Sequence, residues 1–189
     1  GGRPLHLLAM SLGAMVATEW ARQAPHEVQA CVLINTSLRP FSPFYHRLRP
    51  RNYGALLGLV LRPATAEQIE QTVLRLTSRR AAELGAVLPP WVGVRQARPV
   101  SRSNALRQLM AAARYRAPLQ APVPRMLLLG SQNDGLVSGQ CSQAIAQAWQ
   151  VPLALHPSAG HDLPLDDGPW VLAQIRRWLA QDGAGGATA

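Results

Sequence analysis

Residues 5–23 read LHLLAMSLGAMVATEWARQ, and this stretch decides the fold. Its first six residues, Leu5 to Met10, form a short run without the polar alternation of a half-exposed strand, which predicts a buried parallel strand. Leu12 to Gln23 carries apolar residues at helical spacing and stops before Pro25, which predicts an amphipathic helix. The passage from strand to helix at Ser11 indicates the start of an α/β unit.

Three more apolar runs predict strands of the same sheet: Val28 to Asn35, Arg125 to Gly130 and, more weakly, Val151 to His156. Helices are predicted over Ser138 to Trp149, with Ser138 as N-cap, and over Trp170 to Ala180, with Asp166 and Asp167 as capping residues. Strands therefore alternate with helices, which predicts an α/β fold with a mainly parallel sheet flanked by helices.

One long segment, residues 38–118, does not follow this alternation. It is rich in proline, shows no convincing strand, and offers four helical pieces: Tyr45 to Leu61, Ala66 to Thr77, Ser78 to Leu88 and Ser103 to Arg116. We predict four parts: a core segment over 1–37, an all-helical cap over 38–118, a second core segment over 119–182, and a flexible tail over 183–189.

Composition excludes several classes of protein. The chain has 189 residues, of which 48% are hydrophobic and 15% charged, enough for a packed core and too apolar for disorder. Its longest clearly apolar run, Tyr53 to Leu61, is far shorter than the roughly 20 residues of a membrane-spanning helix. The two cysteines lie far apart in sequence and exclude a disulfide scaffold. We expect a soluble, cytoplasmic chain that binds no membrane.

The sequence Ala9-Met10-Ser11-Leu12-Gly13 stands where the first strand ends and the first helix begins. A serine on such a sharp turn needs very small residues two positions away on either side, because neighbouring backbones come close. Ala9 and Gly13 meet that need, so the stretch matches the nucleophile-elbow pattern with alanine for its first glycine. The alternative is an ordinary serine N-cap of the helix.

Two further polar residues follow the later strands. Asp134 comes after the third strand, and His161 comes after the fourth. Asp162, beside the histidine, is a competing candidate for the acid, and an ordinary loop histidine is the alternative for His161. A metal site built from His156, His161 and Asp162 is disfavoured, because that spacing matches no strong motif.

The elbow followed by an acid and then a histidine, each at a strand's carboxyl end, resembles the α/β-hydrolase superfamily of the cap-bearing serine esterase type. The resemblance covers essentially all of the chain. It implies that Ser11 is the nucleophile, Asp134 the orienting acid and His161 the general base, with the backbone N–H of Leu12 as one oxyanion donor. It also implies cleavage of a carboxylic ester through an acyl-enzyme, with neither metal nor organic cofactor.

The same resemblance implies that part of the sheet is missing from this sequence. In the family, several strands precede the elbow strand, and a loop among them supplies the second oxyanion donor. We therefore expect on the order of 70 residues upstream of Gly1. Without them, one apolar edge of the Leu5 to Met10 strand is expected to lack a partner.

Charge is distributed unevenly. All 19 basic residues are arginine; 14 of them lie between Arg39 and Arg116 beside three acids, so that segment carries +11 and the remainder −2. A basic cap attracts an anionic acyl ester or one bound to an acidic carrier protein. Arginines that merely solvate outer helix faces are the plainer explanation, which we favour. No nucleic acid binding is expected, because neither a recognised motif nor an aromatic platform accompanies the arginines.

Two functions are therefore carried forward. The first is a cofactor-free serine hydrolase acting on a small-molecule acyl ester. The second is a catalytically incomplete or non-catalytic hydrolase-fold module whose basic cap binds an acidic partner.

Overall fold

The computed structural model describes residues 3–185, and of residues 182–185 only the backbone. Within this range lie four strands: β1 (Leu5–Met10), β2 (Val28–Ile34), β3 (Met126–Ser131) and β4 (Leu153–His156). They form one sheet in the order β1-β2-β3-β4, and every neighbouring pair is parallel.

The same range contains eight α-helices. They are α1 (Leu12–Gln23), α2 (Phe44–Arg47), α3 (Tyr53–Leu61), α4 (Ala66–Thr77), α5 (Leu88–Ala97), α6 (Arg102–Arg114), α7 (Gln140–Trp149) and α8 (Leu163–Gly185). Helices α1, α7 and α8 flank the sheet, whereas α2 to α6 all fall between β2 and β3. The predicted α/β class with a helix-flanked parallel sheet is confirmed.

From Ala30 to Ile34, strand β2 is apolar and buried. Cys31 and Leu33 pack in one core cluster with residues of α1 and α7. Val32 and Ile34 pack in a second cluster with residues of α8. Both faces of the strand are thus covered by helices, so it has no solvent-facing side that would require polar residues.

The helix predicted over Ser78 to Leu88 is wrong. In the structure this stretch ends in a 3₁₀ turn, Gly85–Val87, and helix α5 begins only at Leu88. Pro89 and Pro90 occupy the first turn of α5, where the N–H groups have no intrahelical acceptor and proline is tolerated. The proline pair starts a helix where the sequence had suggested the end of one.

Other predicted boundaries also differ. The piece predicted over Tyr45 to Leu61 is broken by a 3₁₀ turn that starts at Pro50. Helix α7 begins at Gln140 with Gly139, and not Ser138, at its N-cap. Helix α8 starts seven residues before the predicted Trp170, although its backbone is non-helical at Asp167.

The C-terminal tail predicted over 183–189 is only partly described. Helix α8 continues to Gly185, three residues into that segment. Residues 186–189 lie outside the described residues.

Strand β1 lies at one end of the sheet formed by the described residues. Leu5 and Leu8 on this strand are 47% and 58% exposed, so the prediction that this strand is buried is wrong. Its exposure is that of an apolar sheet edge that has no partner strand among residues 3–185. Among residues 3–185, none of the helices combines the length and apolar character needed to cross a membrane.

Candidate active site

The parallel register brings the ends of the strands together. Met10 pairs with Ile34, Ile34 with Leu129, and Ser131 with His156, so the four strands end nearly level. Residues that follow the strands therefore meet at the carboxyl edge of the sheet, where open α/β folds place their ligands.

Ser11 occupies the turn between β1 and α1 in a strained backbone conformation, with φ 52° and ψ −118°. Its N–H donates to the Ile34 carbonyl at 2.9 Å, and the Thr36 hydroxyl donates to the Ser11 carbonyl at 3.1 Å. Ser11 stands at the N-cap position of α1, but its side chain makes no capping hydrogen bond to the helix. Its hydroxyl is left available for another partner.

Because of this backbone strain, we predict that the Ser11→Gly protein is more stable than the Ser11→Ala protein. Glycine adopts a positive φ without the Cβ clash, so we expect Ser11→Gly to exceed Ser11→Ala in free energy of unfolding by about 1 kcal/mol. Urea unfolding measures this difference. Ser37 is the matched control, because it has no positive φ and there alanine should equal or exceed glycine. If the glycine and alanine variants have the same order of stability at position 11 as at position 37, the prediction is contradicted.

The structure brings Ser11, His161 and Asp134 into one chain of hydrogen bonds. Ser11 Oγ lies 2.9 Å from His161 Nε2, and His161 Nδ1 lies 2.7 Å from Asp134 Oδ2. A carboxylate can only accept, so His161 carries its proton on Nδ1. Nε2 is then free to accept the Ser11 proton.

The Asp134 carboxylate is held on both of its oxygens. Oδ1 accepts the N–H groups of Leu136 at 2.7 Å and Val137 at 2.9 Å, while Oδ2 accepts from His161. Asp134 and His161 are only 2% and 3% exposed. Three donated hydrogen bonds stabilise the charged carboxylate in this buried place, so it can orient the imidazole and stabilise its protonated form.

Asp162, the competing acid, has other partners. Its carboxylate accepts the Leu165 N–H at 3.3 Å, and its own N–H donates to the Thr77 carbonyl at 2.8 Å. Partial burial raises the pKa of its carboxyl group. In the described structure the His161 ring is hydrogen-bonded to Asp134 and Ser11, not to Asp162.

His156 belongs to a separate contact. Its Nδ1 accepts the Ala159 N–H at 2.8 Å, and its Nε2 donates to Asp167 at 3.2 Å, so both ring nitrogens are occupied. No set of three or more His, Cys, Asp or Glu side chains within residues 3–185 is arranged to hold a metal ion.

Asn35 is a site residue that the sequence analysis missed. It follows β2, is 3% exposed, and donates through Nδ2 to the carbonyl of His161 at 2.7 Å. Its Oδ1 accepts the Ser131 N–H at 2.8 Å, which ties the histidine loop to the end of β3. A polar residue at the end of a predicted buried strand was the signal available in the sequence.

Leu12, the predicted oxyanion donor, is the first residue of α1. The first N–H groups of a helix have no intrahelical acceptor and carry partial positive charge, so this N–H suits a developing oxyanion beside Ser11. The second donor, expected upstream of Gly1, lies outside the described residues.

A cavity of about 790 Å³ lies between Ser11 and the helices that separate β2 from β3. Its walls are mostly aliphatic, with Leu56, Val60 and Leu109 among the residues that line it. Ser11 and Leu12 lie at its sheet end. The volume is within the range of small-molecule sites, and the apolar walls suit an acyl chain.

Four arginines also line this cavity: Arg47, Arg62, Arg95 and Arg102. Arg95 forms an ion pair with Glu70, whereas Arg47 donates to the backbone carbonyl of Ala112 at 2.6 Å. Burial, together with the nearby charge of Arg39, lowers the pKa of the Arg47 guanidinium. Among the described residues, neither aspartate nor glutamate lines the cavity.

Solved structures share this architecture over nearly the whole chain. A thermophilic esterase from Thermogutta terrifontis is 19% identical with a TM-score of 0.67, and covers 94% of this chain and 65% of its own. A hydrolase from Pseudomonas aeruginosa is 18% identical with a TM-score of 0.68 and the same two coverages. The meta-cleavage product hydrolase from Pseudomonas fluorescens is 12% identical with a TM-score of 0.70, and covers 95% of this chain and 66% of its own.

This chain thus spans about two thirds of the length of those structures. No curated protein matches it. The parallel sheet, with its elbow serine and buried histidine at the carboxyl edge, defines a hydrolase-type α/β protein. The chain belongs to the alpha/beta hydrolase family, whose sequence pattern matches residues 1–174.

Proposed function

We propose that this protein is a serine hydrolase that cleaves a carboxylic ester. The observation that carries the proposal is the unbroken chain of hydrogen bonds from Ser11 through His161 to Asp134, at the end of an apolar cavity. Nucleophile and base within hydrogen-bond reach, with the base oriented by a third group, is the general arrangement of activated serine nucleophiles.

The proposed reaction follows from the protonation state of each group. His161 Nε2 takes the Ser11 proton as Oγ attacks the acyl carbon, and Asp134 stabilises the resulting imidazolium. The Leu12 N–H donates to the oxyanion. His161 gives that proton to the leaving alcohol. It then accepts a proton from the water that attacks the acyl-enzyme, and returns it to Ser11 Oγ as the acid is released.

Fluorophosphonate labelling tests this proposal. The purified protein is incubated with the probe, and the modified peptide is located by mass spectrometry. Covalent label on Ser11 supports the proposal. A folded protein that takes no label, or takes it elsewhere, contradicts the proposal and favours the non-catalytic module whose basic surface binds an acidic partner.

The arginines of the cavity further suggest an anionic ester, free or held on a carrier protein. Arg62 and Arg102 are exposed where they line the cavity, and no acid lines it beside them. A carboxylate or phosphate on the substrate would therefore meet uncompensated positive charge, while its acyl chain packed against aliphatic walls.

We accordingly expect a straight-chain half-ester with a free carboxylate to be hydrolysed faster than the uncharged ester of the same length. Arg102→Gln should reduce that preference about tenfold, since it removes a charged hydrogen-bond donor. The measurement is the ratio of kcat/KM values for the two esters. Arg75→Gln is the control, because Arg75 lies on α4 outside the cavity lining. Equal ratios in both variants would contradict the expected role of Arg102.

A further inference from the structure

The loop that carries His161 packs against the C-terminal end of α4. The Asp162 N–H donates to the Thr77 carbonyl at 2.8 Å. The Asp166 carboxylate accepts the Ser78 hydroxyl at 2.5 Å, the Arg79 N–H at 3.0 Å and the Gly160 N–H at 2.6 Å. Asp166 therefore does not cap α8 as the sequence had suggested, but joins two distant segments.

These groups are buried, so water cannot replace a hydrogen bond that is lost. Asp166 is 4% exposed and Ser78 is 6% exposed. The Ser78 hydroxyl also accepts the Arg80 N–H at 2.9 Å, so its orientation is determined from both sides. A buried carboxylate that loses a donor is left partly unsatisfied, and the surrounding backbone shifts to compensate.

Gly160 shows how closely the two segments approach. A Cβ atom at this position would lie 2.5 Å from the Thr77 carbonyl oxygen and 3.0 Å from the Arg79 nitrogen. Only a residue without a side chain allows that contact. The residue directly before His161 is thus fitted against the end of α4.

Arg79 extends the contact to the second loop of the site. Its Nε donates to the carbonyl of Asn133 at 2.7 Å, immediately before Asp134. The neighbouring Gly135 carbonyl accepts from Asn52 Nδ2 at 2.8 Å. Residues between β2 and β3 therefore hold the backbone on both sides of Asp134, in addition to the loop of His161.

We propose that Thr77, Ser78 and Arg79, together with Asp166, form a latch that positions His161 and Asp134 relative to each other. Its members are positioning residues, because they act through the two loops rather than on substrate. The proposal rests on the proposed function for its catalytic consequence. The latch also makes the helical insertion part of the catalytic framework, in addition to a wall of the substrate cavity.

Ser78→Ala is the sharpest test, because it removes one hydroxyl group of the latch and leaves the amino-acid sequence of both catalytic loops unchanged. Ser101→Ala is the matched control: its hydroxyl likewise accepts one backbone N–H, from Asn104 at 3.2 Å, at the start of α6. We expect Ser78→Ala to slow fluorophosphonate labelling and kcat about tenfold with KM unchanged, because small misplacements of catalytic groups are costly. Ser101→Ala should leave all three unchanged.

Asp166 itself offers a conservative rescue. Asn at 166 can still accept the N–H groups of Gly160 and Arg79 through its oxygen and donate to Ser78 through its nitrogen. Asp166→Asn should therefore stay within about threefold of the wild type, whereas Asp166→Ala should lose at least as much rate as Ser78→Ala. Should Asp166→Ala fail to fold, Ser78→Ala decides.

The outcomes separate this inference from the proposed function. If the wild type is labelled on Ser11 and Ser78→Ala is labelled equally fast, the latch is overturned while the proposed function stands. If the wild type takes no label, the proposed function fails and the Nδ1 proton of His161, observed by NMR, decides the latch. Loss of that resonance in Ser78→Ala but not in Ser101→Ala supports the latch, and an unchanged resonance in both variants overturns it.

Discussion

Ser11→Ala is expected to lower ester hydrolysis by about 10⁴-fold or more, because it removes the protein atom that attacks the acyl carbon in the proposed mechanism. The remaining activity would come from substrate binding and the Leu12 N–H alone. Fluorophosphonate labelling should disappear with it. The overall stability should change little, since alanine keeps the backbone of the turn and loses a single hydrogen bond to His161.

Ser37→Ala is the matched control for this variant. Ser37 lines the same cavity, and its hydroxyl donates to the Arg47 carbonyl at 3.2 Å, but it makes no contact with His161 in the described structure. We expect it to keep kcat and labelling within a few-fold of the wild type. Ser11→Ala protein that still hydrolyses the ester at a comparable rate would contradict the proposed nucleophile.

Asp134→Asn is expected to lower kcat by about 10⁴-fold at neutral pH. The asparagine oxygen can still accept the N–H groups of Leu136 and Val137, which leaves its amide nitrogen facing His161. That nitrogen donates, so His161 must present an unprotonated Nδ1 and carry its proton on Nε2. Nε2 can then no longer accept the Ser11 proton, and the general base is lost.

Asp162→Asn separates this effect from a general loss of negative charge near His161. Asp162 adjoins the histidine, but its carboxylate accepts only from the Leu165 backbone among the contacts described here. We expect its kcat to remain within about fivefold of the wild type, with circular dichroism unchanged in both variants. Similar losses in both variants would argue against a specific role for Asp134.

The elements that could be predicted from sequence are those with strong local patterns. The first strand and helix match their predicted bounds, because the apolar run stops before Ser11 and the helical pattern stops before Pro25. The insertion was harder, since short helices joined by proline-rich turns carry weak periodicity. At Pro89 and Pro90 the same residues are compatible with a helix end or a helix start, and only packing decides between them.

The residues of the candidate site likewise include some that could be predicted from the sequence and some that could not. Ser11, Asp134 and His161 could be proposed because each follows a predicted strand and stands in a recognisable order. Asn35 and Asp166 could not, because their importance comes from partners far away in sequence. Asn35 bonds to the His161 carbonyl across 126 positions, and Asp166 to Ser78 across 88.

By itself, the sequence determined the fold class, because hydrophobic periodicity is a local property, and its resemblance to a known family pointed to the three residues of the candidate triad. Only the tertiary structure decided that Ser11 and His161, 150 positions apart, lie 2.9 Å from each other, and that His161 faces Asp134 rather than Asp162. It also placed residues 77–79 against the loops that carry Asp134 and His161. Such contacts depend on strand register and on the packing of buried polar groups, which no local pattern encodes.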